Sequence, residues 1–129
     1  MPNRFRDWLR QAEHDLDVAR KAKEADTHEW ACFAAQQAAE KAIKALHYRF
    51  AQEKWGHVLV ELFKDLPPEV VVPDQLVEKA RVLDNYYIPT RYANSHASGA
   101  PFEHYGPIQS NQAITYATEI IEFARAAVA

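Results

Sequence analysis

Apolar residues recur every three or four positions along most of the chain, which is the spacing of one face of an α-helix. The first such stretch predicts a helix from about Asn3 to Ala25, with Asn3 as its N-cap. The second stretch is rich in alanine and predicts a helix from Trp30 to about Gln52, with Thr27 in a position to cap it. Because the connection between them is short, we expect an antiparallel helical hairpin.

The second half of the chain repeats this pattern in shorter segments. A short helix is predicted from His57 to Phe63, and Asp74 caps a further helix that ends near Tyr87, just before Pro89. The last helix is predicted to begin near Ser110 and to run to the C-terminus.

Between the last two helices lies a stretch of 19 residues, 88–106, that is rich in proline, glycine, serine and aromatic residues. Loops longer than about 12–15 residues are uncommon and are usually functional or disordered. This one carries Tyr92, Phe102 and Tyr105, and such aromatic content argues against a solvated linker. The predicted fold is one all-α domain over residues 1–129, an up-and-down bundle of four to five helices with one long aromatic loop before the last helix.

Composition narrows the class of protein. Glycine is scarce (3 residues) and alanine abundant (22), which disfavours a sandwich, a barrel or a nucleotide fold with a glycine-rich loop. The net charge of −3 argues against holding long nucleic acid by bulk electrostatics, although a short or single-stranded RNA stays open as a ligand. Without an apolar run of about 20 residues or a signal-peptide pattern, we expect a cytoplasmic protein with no membrane contact.

Residues 87–92 read YIPTRY, and this segment resembles the signature of prokaryotic HEPN-domain proteins, the small helical partners of minimal nucleotidyltransferases. The opening RFRDWLRQAEHDLDVA, the WACFAAQQAAEKAIKAL helix and the Gly56-His57-x-Leu59-x-x-Leu62 turn follow the same family in order and spacing. The resemblance implies a homodimeric helical module of a toxin–antitoxin-like pair. Such a module would bind a separately encoded minimal nucleotidyltransferase and a nucleotide.

The same resemblance offers an alternative function, a metal-independent endoribonuclease toxin with Arg91 and His96 as catalytic residues. Four residues separate this pair, which is within the family's spacing. A histidine can take up or give a proton near neutral pH, and an arginine can hold the phosphate. The overall acidity and the Ser-Gly-Ala-Pro sequence at 98–101, which interrupts a helix around His96, favour the binding module.

Other roles are open for the residues of this loop. Arg91 could instead stabilise the loop, by bonding the last carbonyls of the preceding helix or by pairing with Asp84. As a ligand-binding group it would act with Tyr87 and Tyr92, whose rings could stack on bases or simply pack the loop. A histidine in such a loop is most often solvated, which is the alternative for His96.

Two features of the second helix bear on ligands and partners. His28 and Cys32 share a helix face, but no third ligand follows at a fixed spacing, so we expect neither a metal nor another cofactor. Of the adjacent Gln36 and Gln37, Gln37 falls on the apolar stripe and predicts a polar contact across a helix interface, within the chain or between subunits. The alanine-rich face is wider than one thin bundle would obviously cover, which predicts a two-fold homodimer.

Overall fold

The computed structural model describes residues 3–129, and the regular secondary structure within that range is entirely helical. The five α-helices are α1 (Phe5–Glu24), α2 (His28–Arg49), α3 (Leu59–Lys64), α4 (Asp74–Asp84) and α5 (Pro107–Val128). Single 3-10 turns at Ala93–Ser95 and Pro101–Glu103 shape the long loop between α4 and α5. The predicted all-α bundle with a long loop before its last helix is therefore confirmed.

The α1–α2 hairpin forms as predicted, but its caps differ. Arg4 is the N-cap residue of α1, and Asn3 lies one residue outside, where its Oδ1 accepts a hydrogen bond from the Phe5 amide at 2.9 Å. Thr27 stands at the N-cap position of α2, yet its hydroxyl donates to the Ala22 carbonyl at 2.8 Å and so closes the end of α1. Because the connection is short, the Thr27 side chain can bond the last turn of α1 instead of the first turn of α2.

Helix α2 forms the centre of the bundle and contacts α1, α3, α4 and α5. Its small side chains let neighbouring helices approach closely on several sides. The fully buried alanines of this helix are Ala31, Ala35, Ala38, Ala39, Ala42 and Ala45. Because the chain's own helices already cover these alanines, they give no separate reason to expect a second subunit.

Helices α3 and α4 begin and end close to their predicted limits. Helix α3 begins at Leu59, and the Asp84 carboxylate at the end of α4 accepts hydrogen bonds from the amides of Leu59 (2.6 Å) and Val60 (3.3 Å). The alternative in which Asp84 pairs with Arg91 is thus wrong, since this carboxylate caps α3. Burial raises the pKa of Asp84 above its usual value, although the two amide bonds oppose the effect.

Helix α5 begins three residues earlier than predicted, at Pro107, where a proline is well tolerated. Ser110 is therefore not its N-cap. It lies fully buried in the first turn, with its Oγ 2.8 Å from Nδ1 of His28 on α2. Within residues 3–129, no helix has the length and apolar character needed to cross a membrane.

Candidate functional site

Arg91 lies in the turn that follows α4, and three aromatic rings surround its guanidinium group. The guanidinium carbon is 4.2 Å from the ring centre of Phe33 on α2, 4.8 Å from that of Tyr87 and 5.2 Å from that of Tyr92. Its Nε donates to the Tyr87 carbonyl at 2.8 Å. Cation–π contacts and one backbone bond thus hold the group in place.

The two terminal nitrogens of Arg91 are not engaged. Among residues 3–129, Nε makes the only hydrogen bond of this side chain, and no carboxylate pairs with it. A guanidinium group that is held among aromatic rings and keeps hydrogen-bonding capacity on its terminal nitrogens suits a phosphate or carboxylate group, which it can contact through two parallel hydrogen bonds. The structure therefore brings three sequence-predicted residues together, Arg91, Tyr87 and Tyr92.

A second group of polar residues contacts the same tyrosine, Tyr87. The His57 ring stacks on Tyr87 with 4.3 Å between ring centres and an interplanar angle of 17°. Its Nδ1–H donates to Oε1 of Glu40 at 2.9 Å, and Lys44 Nζ donates to Oε2 of the same carboxylate at 3.0 Å. Glu40 and Lys44 are one helical turn apart on α2 and are almost completely buried.

The backbone around His57 is held by a glutamine. Gln36 is fully buried and donates to the His57 carbonyl at 3.1 Å, while Gln37 donates to Oε1 of Gln36 at 2.8 Å. Gly56, just before His57, has a φ of +106°, which a residue with a side chain rarely adopts. The helical periodicity predicted Gln37 as the inward glutamine. That assignment is wrong, because the buried member is Gln36 and its contact lies within the chain.

His96 makes a separate set of contacts. Its Nε2–H donates to the Pro89 carbonyl at 2.7 Å, and its ring stacks on His104 with 4.1 Å between ring centres. The Tyr105 ring meets it edge-on at 5.8 Å. Within residues 3–129, none of these groups forms a hydrogen bond or a cation–π contact with the Arg91 side chain, so no such contact links Arg91 to His96. Nor is His96 a solvated loop histidine, because it is half-buried and hydrogen-bonded.

Comparison with known proteins settles the family. The model of the HEPN domain matches residues 5–127 of the chain. This protein belongs to the HEPN-domain family.

Three solved structures resemble this HEPN domain over nearly its whole length. The protein TT1696 of Thermus thermophilus is 47% identical, with a TM-score of 0.96 over 98% of this chain and 99% of the other. ST0689, described as an archaeal HEPN homologue, is 36% identical, with a TM-score of 0.84 and full coverage of both chains. A HEPN-domain protein of Thermotoga maritima, tm0613, is 31% identical, with a TM-score of 0.75 over 93% and 95%. No functionally curated protein matches the chain.

Glu40, Lys44 and the site role of His57 in this HEPN domain were not predicted from the sequence. One signal was present, since Gln36, Glu40 and Lys44 recur every four residues along a helix otherwise dominated by alanine. Such a polar line within an apolar segment predicts a buried polar contact. Its partner, His57, is 17 residues from Glu40 and could not be chosen by spacing alone.

The His28 and Cys32 pair has no metal-site geometry in this domain. Within residues 3–129 no three metal-ligating side chains come together. His28 is engaged with Ser110, and burial raises the pKa of the Cys32 thiol to about 12. A thiol that stays protonated at neutral pH is a poor metal ligand and a poor nucleophile.

Proposed function

We propose that this protein is a binding module of a HEPN–nucleotidyltransferase pair. It forms a homodimer, associates with a separately encoded minimal nucleotidyltransferase in a toxin–antitoxin-like system, and binds a nucleotide through its phosphate. The observation that carries the proposal is the Arg91 side chain, which aromatic rings hold in place and whose terminal nitrogens have no hydrogen-bond partner among residues 3–129.

The surroundings of Arg91 support a nucleotide as the ligand. A planar guanidinium group pairs with a phosphate through two hydrogen bonds, and a nearby aromatic ring offers a face on which a base can stack. Tyr92 is 50% exposed and lies against the guanidinium, so it is available for such stacking. A nucleotidyltransferase uses nucleotides as substrates, so a partner that holds a nucleotide phosphate is chemically consistent.

A groove between α1 and α2 supports the homodimer. Its apolar lining includes Val18, which is 44% exposed, and Trp30, which is 52% exposed, together with Phe33. Polar side chains, those of Asp15, Gln37 and Lys41, complete the lining. A second copy seated in this groove would remove the exposed apolar surface from water. Phe33 also contacts Arg91, so a two-fold axis at this groove would bring both Arg91 side chains toward the interface.

Calorimetric titration with ATP tests the ligand-binding part of the proposal. Arg91→Ala should weaken ATP binding at least about tenfold, because a charge-assisted hydrogen bond to phosphate contributes about 1.5–3 kcal/mol. Arg6→Ala is the matched control, since Arg6 also packs over an aromatic ring, Phe5, at 5.3 Å but lies on α1. Unchanged ATP affinity in Arg91→Ala, or equal losses in both variants, would reject the assignment.

Sedimentation and co-expression test the assembly. We expect a dimer for the wild type and a monomer for Trp30→Glu, because a carboxylate would be buried in the interface. Val71→Glu is the control, as Val71 is 79% exposed on the connector between α3 and α4. Co-expression with a minimal nucleotidyltransferase should give one complex on gel filtration. A wild type that sediments as a monomer would overturn the dimer, and separate elution would overturn the pairing.

A further inference from the structure

The His57 side chain combines a fixed orientation with an open nitrogen. The buried Glu40 carboxylate accepts the Nδ1–H bond, so the ring is anchored on that side and stacked on Tyr87. The side chain is 49% exposed, and Nε2 has no hydrogen-bond partner among residues 3–129. A carboxylate on one ring nitrogen and a free second nitrogen is the arrangement of a histidine that exchanges protons with, or donates to, a ligand.

We infer that His57 and Arg91 bind the same phosphate group of a nucleotide, with protonated His57 donating from Nε2 and Glu40 acting as the positioning residue. This inference rests on the proposed function and deepens it, because it names the second phosphate ligand and makes binding depend on pH. It involves no covalent step.

The geometry that carries the inference is the shared contact with Tyr87. The His57 ring lies 4.3 Å from the Tyr87 ring centre, and the Arg91 guanidinium carbon lies 4.8 Å from the same centre. Both groups therefore border one aromatic ring. A phosphate bound at the edge of this ring, between the two groups, would accept hydrogen bonds from both.

The charges around the ring determine the pH dependence. On α2, the Lys44 ammonium balances the Glu40 carboxylate. At the end of α4, Asp84 is occupied by the amides of Leu59 and Val60. In the loop, Tyr87 supplies the ring itself, and Arg91 supplies the cationic group beside it. A phosphate thus meets one open cation when the His57 imidazole is neutral, and two when it is protonated.

Calorimetry with ATP at about pH 6 and about pH 8.5, on either side of the ordinary histidine range, tests the inference. His57→Gln should weaken ATP binding about fivefold to tenfold at the lower pH, where the charged donor is lost, and less than about twofold at the higher pH. His14→Gln is the matched control, because His14 is an exposed histidine on α1. The protonation of ATP itself changes between the two pH values in the same way for every variant. The ratio of ATP affinities between two variants therefore reports the effect of the histidine alone.

The outcomes separate this inference from the proposed function. If Arg91→Ala loses ATP binding while His57→Gln matches the wild type at both pH values, the proposed function stands and the inference fails. If Arg91→Ala also retains binding, or if the wild type does not bind ATP, both fail. A loss in His57→Gln that is equal at both pH values also overturns the inference, because it would report altered packing and not a lost proton donor.

Two substitutions on α2 test the positioning role of Glu40. Glu40→Gln removes the negative charge beside the imidazolium, so the pH profile of ATP binding should move to lower pH. Lys44→Met removes a competing positive charge, so the profile should move to higher pH. If Glu40→Gln fails to fold, Lys44→Met alone decides the point. A purely structural role would change the melting temperature and leave the profile in place, which would overturn the positioning role.

Discussion

His57 and His96 both lie in connecting segments, but their surroundings differ. His57 bonds to a buried charged pair, Glu40 and Lys44, and its Nε2 has no hydrogen-bond partner among residues 3–129. Nε2 of His96 instead donates a hydrogen bond to the Pro89 carbonyl, and the His96 ring stacks on His104. One histidine is built into a charged site, and the other helps to pack a loop.

The region around His96 is joined to the buried core by two tyrosines, Tyr105 and Tyr86. Tyr105 meets His96 edge-on and packs against Tyr86 in the same way. Burial raises the pKa of Tyr86 to about 12 and that of Tyr105 above its usual value, and the nearby Cys32 contributes to both shifts. Four residues separate His96 from Arg91 and more than thirty separate His57 from it, yet Tyr87 links Arg91 to His57. Spacing along a loop is thus a weak guide to which side chains share a site.

The largest effect is expected from removing the Glu40 carboxylate, which accepts a hydrogen bond from His57. Glu40→Leu should lower the free energy of unfolding by roughly 3–5 kcal/mol, because it leaves the Lys44 ammonium buried without a partner. The double variant Glu40→Leu with Lys44→Met should recover most of this loss, since an apolar pair needs no compensation. Urea unfolding of the three proteins measures both values. Equal stability of the single and double variants would show that the buried pair has little importance.

The fold was predictable because it depends on local patterns. The helical periodicity placed all five helices to within a few residues, whereas the actual roles of Asn3 and Ser110 were set by contacts that no local pattern contains. The alanine-rich helix was recognised, but the covering of its alanines by α1 and α5 within one chain followed only from the packing.

The candidate site was only partly predictable. Arg91, Tyr87 and Tyr92 belong to one segment of six residues, so their proximity in the structure could be predicted from their proximity in the sequence. The Glu40–His57 bond joins α2 to the segment that connects α2 with α3, and its geometry depends on Gln36 and on the left-handed backbone at Gly56. Long-range pairing of this kind depends on how the helices dock, which spacing in one sequence does not specify.

The next effect is expected at alkaline pH and concerns Cys32, which lies near Tyr86 and Tyr105. Burial raises the pKa of Cys32 from an ordinary 9.0 to about 12, so between these values the folded protein binds more protons than the unfolded chain. Stability from this thiol is complete below about pH 9 and is lost as the pH rises toward about 12. By about pH 10.5 the wild type should have lost about 2 kcal/mol more than Cys32→Ala, relative to neutral pH. Parallel pH dependence in denaturant unfolding of the two proteins would contradict this.

A smaller effect is expected at Gly99, which supports the His104 side of the loop. Its φ is +81°, and an added Cβ would lie 3.0 Å from Nε2 of His104. Gly99→Ala should therefore cost about 1–2 kcal/mol of stability, from the strained backbone and the displaced ring. Gly106→Ala is the matched control, because its φ is −127° and the new Cβ would meet only Gln109 Oε1, at 3.6 Å. Thermal unfolding that ranks Gly106→Ala as the more damaging change would contradict the assignment.

The smallest effect is expected at His96, where it also tests the alternative function. His96→Ala removes the bond to Pro89 and the stack on His104, so it should cost about 1 kcal/mol of stability and leave ATP affinity within about twofold of the wild type. Gel assays with single-stranded RNA, in the presence of a chelator, complete the measurement. RNA cleavage by the wild type that is lost in both His96→Ala and Arg91→Ala would favour the endoribonuclease, since only a reaction needs a proton-transfer group at His96. ATP binding that is lost in Arg91→Ala alone favours the binding module, with His96 as a packing residue of the loop.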